Sequence, residues 1–221
     1  FADCGGRPFD PQQPAMLFLH GAGMDRTVWA LQSRYFAHRG SAVLAVDLPG
    51  HGRSDGEALD SIAASADWLL SLLDAVGLAQ VTLIGHSMGA LIALDFAGRH
   101  PARMRALGLL GAAAAMPVHP DLLAAAENND PVAYQLITSW GHGKVGHYGG
   151  AKLPGGWLLG AGERLLERVR PGVLHRDLAA CNAYGDALER AAAVSCPTLL
   201  VLGSEDMMTP AKAGRKLAAA I

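Results

Sequence analysis

No run of like charge interrupts this 221-residue sequence. Its 18 Lys and Arg are scattered along the chain and nearly balanced by 20 Asp and Glu, for a net charge of −2. That leaves no electrostatic footprint for DNA, RNA or an anionic membrane surface. Long apolar runs are missing too, and none approaches the roughly 20 residues a helix needs to cross a bilayer. Cysteine is scarce. Cys4, Cys181 and Cys196 are odd in number and far apart, which fits neither a disulfide framework nor a CxxC-type zinc site. Isolated thiols suit a reducing compartment, so a cytoplasmic location is expected. An initiating Met is also absent, because the sequence begins at Phe1. The lack of a visible leader therefore decides nothing.

What is present is a globular composition, 51% hydrophobic and 17% charged, enough for a real core. After a Gly- and Pro-rich stretch over 1–14 that reads as loop, strand and helix signals alternate. Short continuous apolar runs mark strands at 16–19, 42–46, 81–84, 106–110 and 198–202, the pattern of strands covered on both faces. Helical spacing appears over 27–38 (Val28, Leu31, Tyr35), 62–76, 87–99 and 210–220. The helix at 87–99 is apolar nearly all round and should be buried. Such alternation predicts an α/β fold, a mostly parallel sheet flanked by helices. One interruption stands out. Over 112–194 the strand signal vanishes, and short helices are expected at 121–127, 131–140, 163–169 and 178–192, around a glycine-rich passage at 141–162. The expected organisation is a core of 1–111 and 195–221 with a helical lid inserted at 112–194.

Gly85-His86-Ser87-Met88-Gly89 fits the pattern G-x-S-x-G, directly after a strand and directly before a helix. A turn this tight strains the serine and exposes its hydroxyl above the sheet, and only glycines leave room at the flanking positions. It also puts the Met88 N–H at the start of the helix, aimed where an oxyanion would develop. His20-Gly21-Ala22-Gly23 follows the first of these strands, and Asp47-Leu48-Pro49-Gly50-His51-Gly52-Arg53-Ser54 makes a rigid turn after the second. His20 reads as a structural turn histidine, and His51 is a poor candidate for catalysis.

Together with the Gly203-Ser204-Glu205-Asp206 segment and Pro210, these motifs resemble the α/β-hydrolase superfamily, in particular its small, cofactor-free, lid-bearing esterase-like members. The resemblance spans about residues 16–210 and is specific for fold and triad, weak for substrate. It implies Ser87 as nucleophile, Asp206 as triad acid, and the Ala22 and Met88 N–H groups as oxyanion hole. Asp206 also suits the role by position, at the carboxyl end of a parallel strand; Glu205 and Asp67 rank below it. The expected activity is cleavage of a small or medium carboxylic ester through an acyl-enzyme. A carbon–carbon bond hydrolase or perhydrolase on the same triad is the alternative, as is a non-catalytic binding protein of the same fold. No cofactor or metal is implied; His142 and His147, five apart among glycines, lack metal-pair spacing.

One part of the triad is missing from the sequence. The family order is Ser, acid, His, yet all nine histidines precede Asp206. The reading is a fragment whose base lies beyond residue 221, inactive by itself, with bare sheet edges near 43–46 and at 198–202.

Overall fold

A computed structural model describes residues 1–147 and 156–221. Its centre is a six-stranded sheet of β1 (Ala2–Asp3), β2 (Ala15–Leu19), β3 (Ala42–Val46), β4 (Val81–His86), β5 (Met104–Leu110) and β6 (Thr198–Val201). The order is β1-β3-β2-β4-β5-β6, parallel throughout except for β1 against β3. The sheet is therefore mostly parallel, as the sequence predicts. Between β2 and β4 the strand order reverses direction, and crevices at such points hold ligands in open α/β sheets.

β1 corrects one expectation. Residues 1–14 are not all loop: Ala2 pairs with Val46 and Asp3 with Ala45. The Asp47 N–H donates to the Phe1 carbonyl at 2.9 Å. The edge at β3 is thus covered by a short antiparallel strand, too brief and too polar to show as an apolar run. At the opposite edge, Leu199 and Val201 of β6 are exposed.

One face of the sheet is covered by α2 (Ile62–Ala75) and α3 (Met88–Arg99). Ser61 caps α2 by accepting the Ala64 N–H at 3.2 Å, and Ile62, Ala66, Leu69 and Leu73 form the buried stripe. In α3, ten of twelve residues are buried, each large apolar side chain contributing about 1.5–3 kcal/mol. The other face holds Phe18, Trp29, Ala37, Val43 and Ala45. Here the helix expected over 27–38 divides into a 3₁₀ turn (Arg26–Trp29) and α1 (Ala30–Ala37). After this turn Ser33 and Ala37 are the buried residues of α1, Ala37 packing with Phe18, Val43 and Ala45. Leu31 and Tyr35, which carry the helical spacing, are exposed, with Tyr35 beneath the Arg39 guanidinium.

Between β5 and β6 the described residues form α4 (Pro120–Glu127), α5 (Val132–Gly141), α6 (Lys144–His147), α7 (Leu158–Leu166), α8 (Val173–Ala183) and α9 (Ala187–Ala192). Part of the glycine-rich passage lies outside the described residues. Asp130 accepts the Val132 N–H at 2.9 Å, the expected start of α5. Two helices differ from expectation. α7 begins five residues early, drawing in Leu158 and Leu159, and the helix expected over 178–192 breaks at Tyr184 and Gly185. Residues on both sides of the break contact α3. Buried Asp95 accepts the Tyr184 hydroxyl at 3.0 Å, Arg190 Nε at 3.2 Å and Arg99 Nε at 2.7 Å. α10 (Ala211–Ala218) follows β6.

Asp95 therefore ties the segment after β5 to the central helix. Asp95→Ala is expected to lower stability by about 2–3 kcal/mol, since it removes three hydrogen bonds of which two come from charged donors. The midpoint of urea unfolding, read at constant m-value, checks this.

Candidate active site

Ser87 joins β4 to α3 with φ 53° and ψ −117°. It is one of two described non-glycine residues with positive φ, the other being Asn129. Such a conformation costs about 1–3 kcal/mol and persists only where its surroundings enforce it. The enforcing contacts are visible. A Cβ on Gly85 would overlap the Gly89 carbonyl, and one on Gly89 would lie 2.5 Å from the Leu19 oxygen and 2.6 Å from that of His20. The Ser87 N–H donates to the Leu110 carbonyl at 2.9 Å, and its own carbonyl accepts from Ala90 and Leu91. Its hydroxyl makes no capping bond to α3. The backbone caps the helix, and the side chain faces a cavity.

Two cavities meet there, of about 370 and 580 Å³. Both are walled by Ala22, Ser87, Leu178, Met208 and Thr209. The smaller also reaches Asp206, His86 and His142; the larger, His119, Trp140 and Cys181. Ala22, Ser87 and Asp206 thus line one cavity, while Met88 is buried at the first position of α3.

Asp206 lies in the turn after β6. It accepts the Met208 N–H at 2.8 Å, the Thr209 N–H at 2.9 Å and the Thr209 hydroxyl at 2.6 Å. Three donors hold the group in a fixed orientation. The lower-ranked acids are elsewhere. Glu205 accepts the Lys144 N–H at 2.8 Å, at the start of α6. Asp67 is exposed on α2 and pairs with Arg99 at 2.6 Å.

Histidines occupy the site's surroundings in distinct ways. His20 is buried. Its Nδ1–H donates to the Gly21 carbonyl at 2.9 Å, and Nε2 accepts the Leu48 N–H at 3.1 Å. Burial, then the charge of His51, lowers its pKa to about 4 and keeps it neutral, a turn histidine in substance. His86 has its pKa lowered by burial against the pull of Asp206. His142 uses Nδ1 on the Thr138 carbonyl at 2.8 Å. Among the described residues no group of three His, Cys, Asp or Glu is placed to hold a metal ion, and no helix is long and apolar enough to cross a membrane.

With this geometry in view, the comparison with known families is decisive. Residues 14–136, more than half of the chain, match the family described as alpha/beta hydrolase fold. The chain belongs to the α/β-hydrolase family. An uncharacterized protein of Mycobacterium tuberculosis is 39% identical over 100 residues, covering 45% of this chain but only 29% of that one. A putative carbamate hydrolase, RutD, of Klebsiella pneumoniae is 29% identical over 96% of this chain and 80% of its own length. Among solved structures, the enol-lactonase of Burkholderia xenovorans superposes with a TM-score of 0.82 at 23% identity, covering 94% of this chain and 79% of that one. That likeness is one of α/β-hydrolase fold.

Sequence reasoning missed several residues of the site. Thr209 carried a signal, a hydroxyl three residues after an Asp in a turn. His86 was hidden as the variable position of G-x-S-x-G. His51 and Asp177 form a buried pair at 2.7 Å across 126 positions, and no local pattern announces it.

Gly89→Ala tests the elbow. It is expected to cost about 1–3 kcal/mol by overpacking and to displace Ser87. Gly185→Ala, where a Cβ meets nothing within 4 Å, should be tolerated. Paired thermal unfolding curves of the two variants check the contrast.

Proposed function

We propose that the protein is a serine hydrolase that cleaves a small or medium carboxylic ester through an acyl-enzyme on Ser87. The observation that carries the reading is Ser87 itself, held at φ 53° with its hydroxyl uncommitted to the helix cap and on the wall common to two cavities. Binding sites for small organic ligands are commonly of this size, about 300–1,000 Å³. The segment 112–194 then acts as the lid over the site.

In this scheme the Ser87 Oγ attacks the carbonyl carbon and its proton passes to a histidine base. The negative charge on the carbonyl oxygen is met by the N–H groups of Ala22 and Met88. The Met88 N–H points from the first turn of α3, where the helix dipole favours an anion. Collapse of the tetrahedral intermediate expels the alcohol, which takes the proton from the histidine. Water then attacks the acyl-enzyme by the same steps and frees Ser87. Asp206 orients the histidine and stabilises its charged form, a task for which the bonds from Met208 and Thr209 preset it. We assign the base to a histidine that follows the acid, as the family order implies; the nine histidines of these 221 residues all precede Asp206.

Carbonyl chemistry is also what the names of the relatives carry: a putative carbamate hydrolase and an enol-lactonase. Those activities are theirs, but each presents a carbonyl carbon to a nucleophile, as the proposed ester does.

Hydrolysis of a series of p-nitrophenyl acyl esters by the full natural chain tests the reading. Ser87→Ala is expected to abolish turnover, and Asp206→Asn to lower kcat by roughly 10⁴-fold with a much smaller change in KM. Residues 1–221 alone are expected to show no turnover above their own Ser87→Ala variant. Turnover by residues 1–221 that is lost in both Ser87→Ala and His142→Gln would move the base to the cavity wall.

A further inference from the structure

A buried polar cluster beside the cavity takes no part in this chemistry. Asp177, in α8 and 2% exposed, accepts two hydrogen bonds at one oxygen. One comes from the Gly23 N–H at 2.8 Å and the other from His51 Nε2 at 2.7 Å. The remaining ring nitrogen of His51, Nδ1, lies 2.9 Å from the Pro49 carbonyl. Both nitrogens face acceptors, and a neutral imidazole carries one N–H. Only the imidazolium satisfies both.

The surrounding charges agree. Burial opposes the charged ring, but the hydrogen bond and charge of Asp177, the Pro49 carbonyl and the charge of Asp47 outweigh it. The His51 pKa is raised. The third titratable neighbour is His20, its ring centroid 4.8 Å from that of His51. It is neutral, as its one-donor, one-acceptor bonding requires. Asp177 from α8, Asp47 from the turn after β3 and His20 from the loop after β2 are the groups that act on His51.

Gly23 directly follows Ala22, and the helices press on it. Its φ is +65°, and a Cβ there would lie 2.8 Å from Leu174 Cδ1 of α8 and 3.1 Å from Leu166 Cδ2 of α7. The loop after β2 is thus packed by Leu174 and hydrogen-bonded by Asp177 of the same helix. Displacing that loop by even about 1 Å would misalign the Ala22 N–H, and errors of that size cost on the order of 10²-fold in rate.

We propose that Asp177 and the His51 imidazolium are a positioning pair that locks the oxyanion loop at Ala22 onto helix α8, a role that rests on the serine-hydrolase reading above. The pair makes the rate depend on pH in a definite sense. Because the folded pKa of His51 is raised, the lock is complete below the ordinary histidine value of about 6.5. It is lost as pH rises through the raised value, when one acceptor comes to face a ring lone pair. This yields an alkaline limb in kcat. A triad histidine acting as base gives the opposite, an acidic limb.

The test uses the full natural chain, with kcat and KM for a p-nitrophenyl ester measured across pH. Asp177→Asn and His51→Gln are each expected to lower kcat by about 10–100-fold with KM within about threefold. Both should remove the alkaline limb. Nitrogen–proton NMR of the His51 ring supplies a readout independent of turnover. It should titrate above the ordinary value in the wild type and at or below it in Asp177→Asn. A folded Asp177→Asn enzyme with unchanged kcat and an unchanged alkaline limb would overturn the proposal. So would a wild-type His51 that titrates below the ordinary range, which decides the matter even if the variants do not fold. Turnover that survives Ser87→Ala would instead remove the serine-hydrolase reading, and with it any oxyanion role for the pair; the ring titration would still report whether the Asp177–His51 lock exists.

Discussion

The first turn of α3 approaches the ends of β2 and β4 so closely that no side chain fits between them. Gly85 and Gly89 are the residues that permit this, since a Cβ on either would enter backbone atoms of the neighbouring element. The close approach forces the intervening residue into the left-handed region and turns its side chain away from helix and sheet alike. Ser87 occupies that position, and its carbonyl, rather than its hydroxyl, starts the helix. The strain is local and modest, and the ten buried residues of α3 offset it many times over. A well-packed helix thus supports one half-buried, strained serine.

Around this point the loops at the carboxyl edge of the sheet are fixed by buried polar groups rather than by apolar packing alone. Asp47 is fully buried and accepts from the Arg26 N–H, the Arg26 guanidinium and the Arg53 N–H. It joins the segment after β2 to the turn after β3. Asp177 makes the corresponding link to α8, and Asp206 closes its own turn through Thr209. Each carboxylate is matched by donors, so each loop has one favoured arrangement; an unmatched buried carboxylate would be costly. The helical segment after β5 is held through Asp95 and Tyr184 on one side and through Asp177 on the other.

Much of this was legible in the amino-acid order because it is local. Strands buried on both faces read as apolar runs, and the run-glycine-serine-glycine-helix succession of residues 81–99 has a single geometric solution. The match of residues 14–136 to the alpha/beta hydrolase fold agrees with that reading. What escaped was non-local. β1 is two residues long and exists only because β3 offers it an edge. Leu31 and Tyr35 show the helical spacing, but a 3₁₀ turn precedes α1 and the sheet surface goes to Trp29 and Ala37. At the helix break, the Tyr184 hydroxyl bonds to Asp95, 89 positions away. The pairing of His51 with Asp177, 126 positions away, has no local signal because tertiary packing sets it.

The central claim is that the serine at the strained turn is a nucleophile. The most direct measurement is covalent: treat the full natural chain with a fluorophosphonate, digest it, and locate the adduct by mass spectrometry. The account predicts a single stoichiometric phosphonyl adduct on the peptide containing Ser87, with none formed after heat denaturation. An active hydrolase that leaves Ser87 unmodified, or that carries the adduct on another residue, would contradict it.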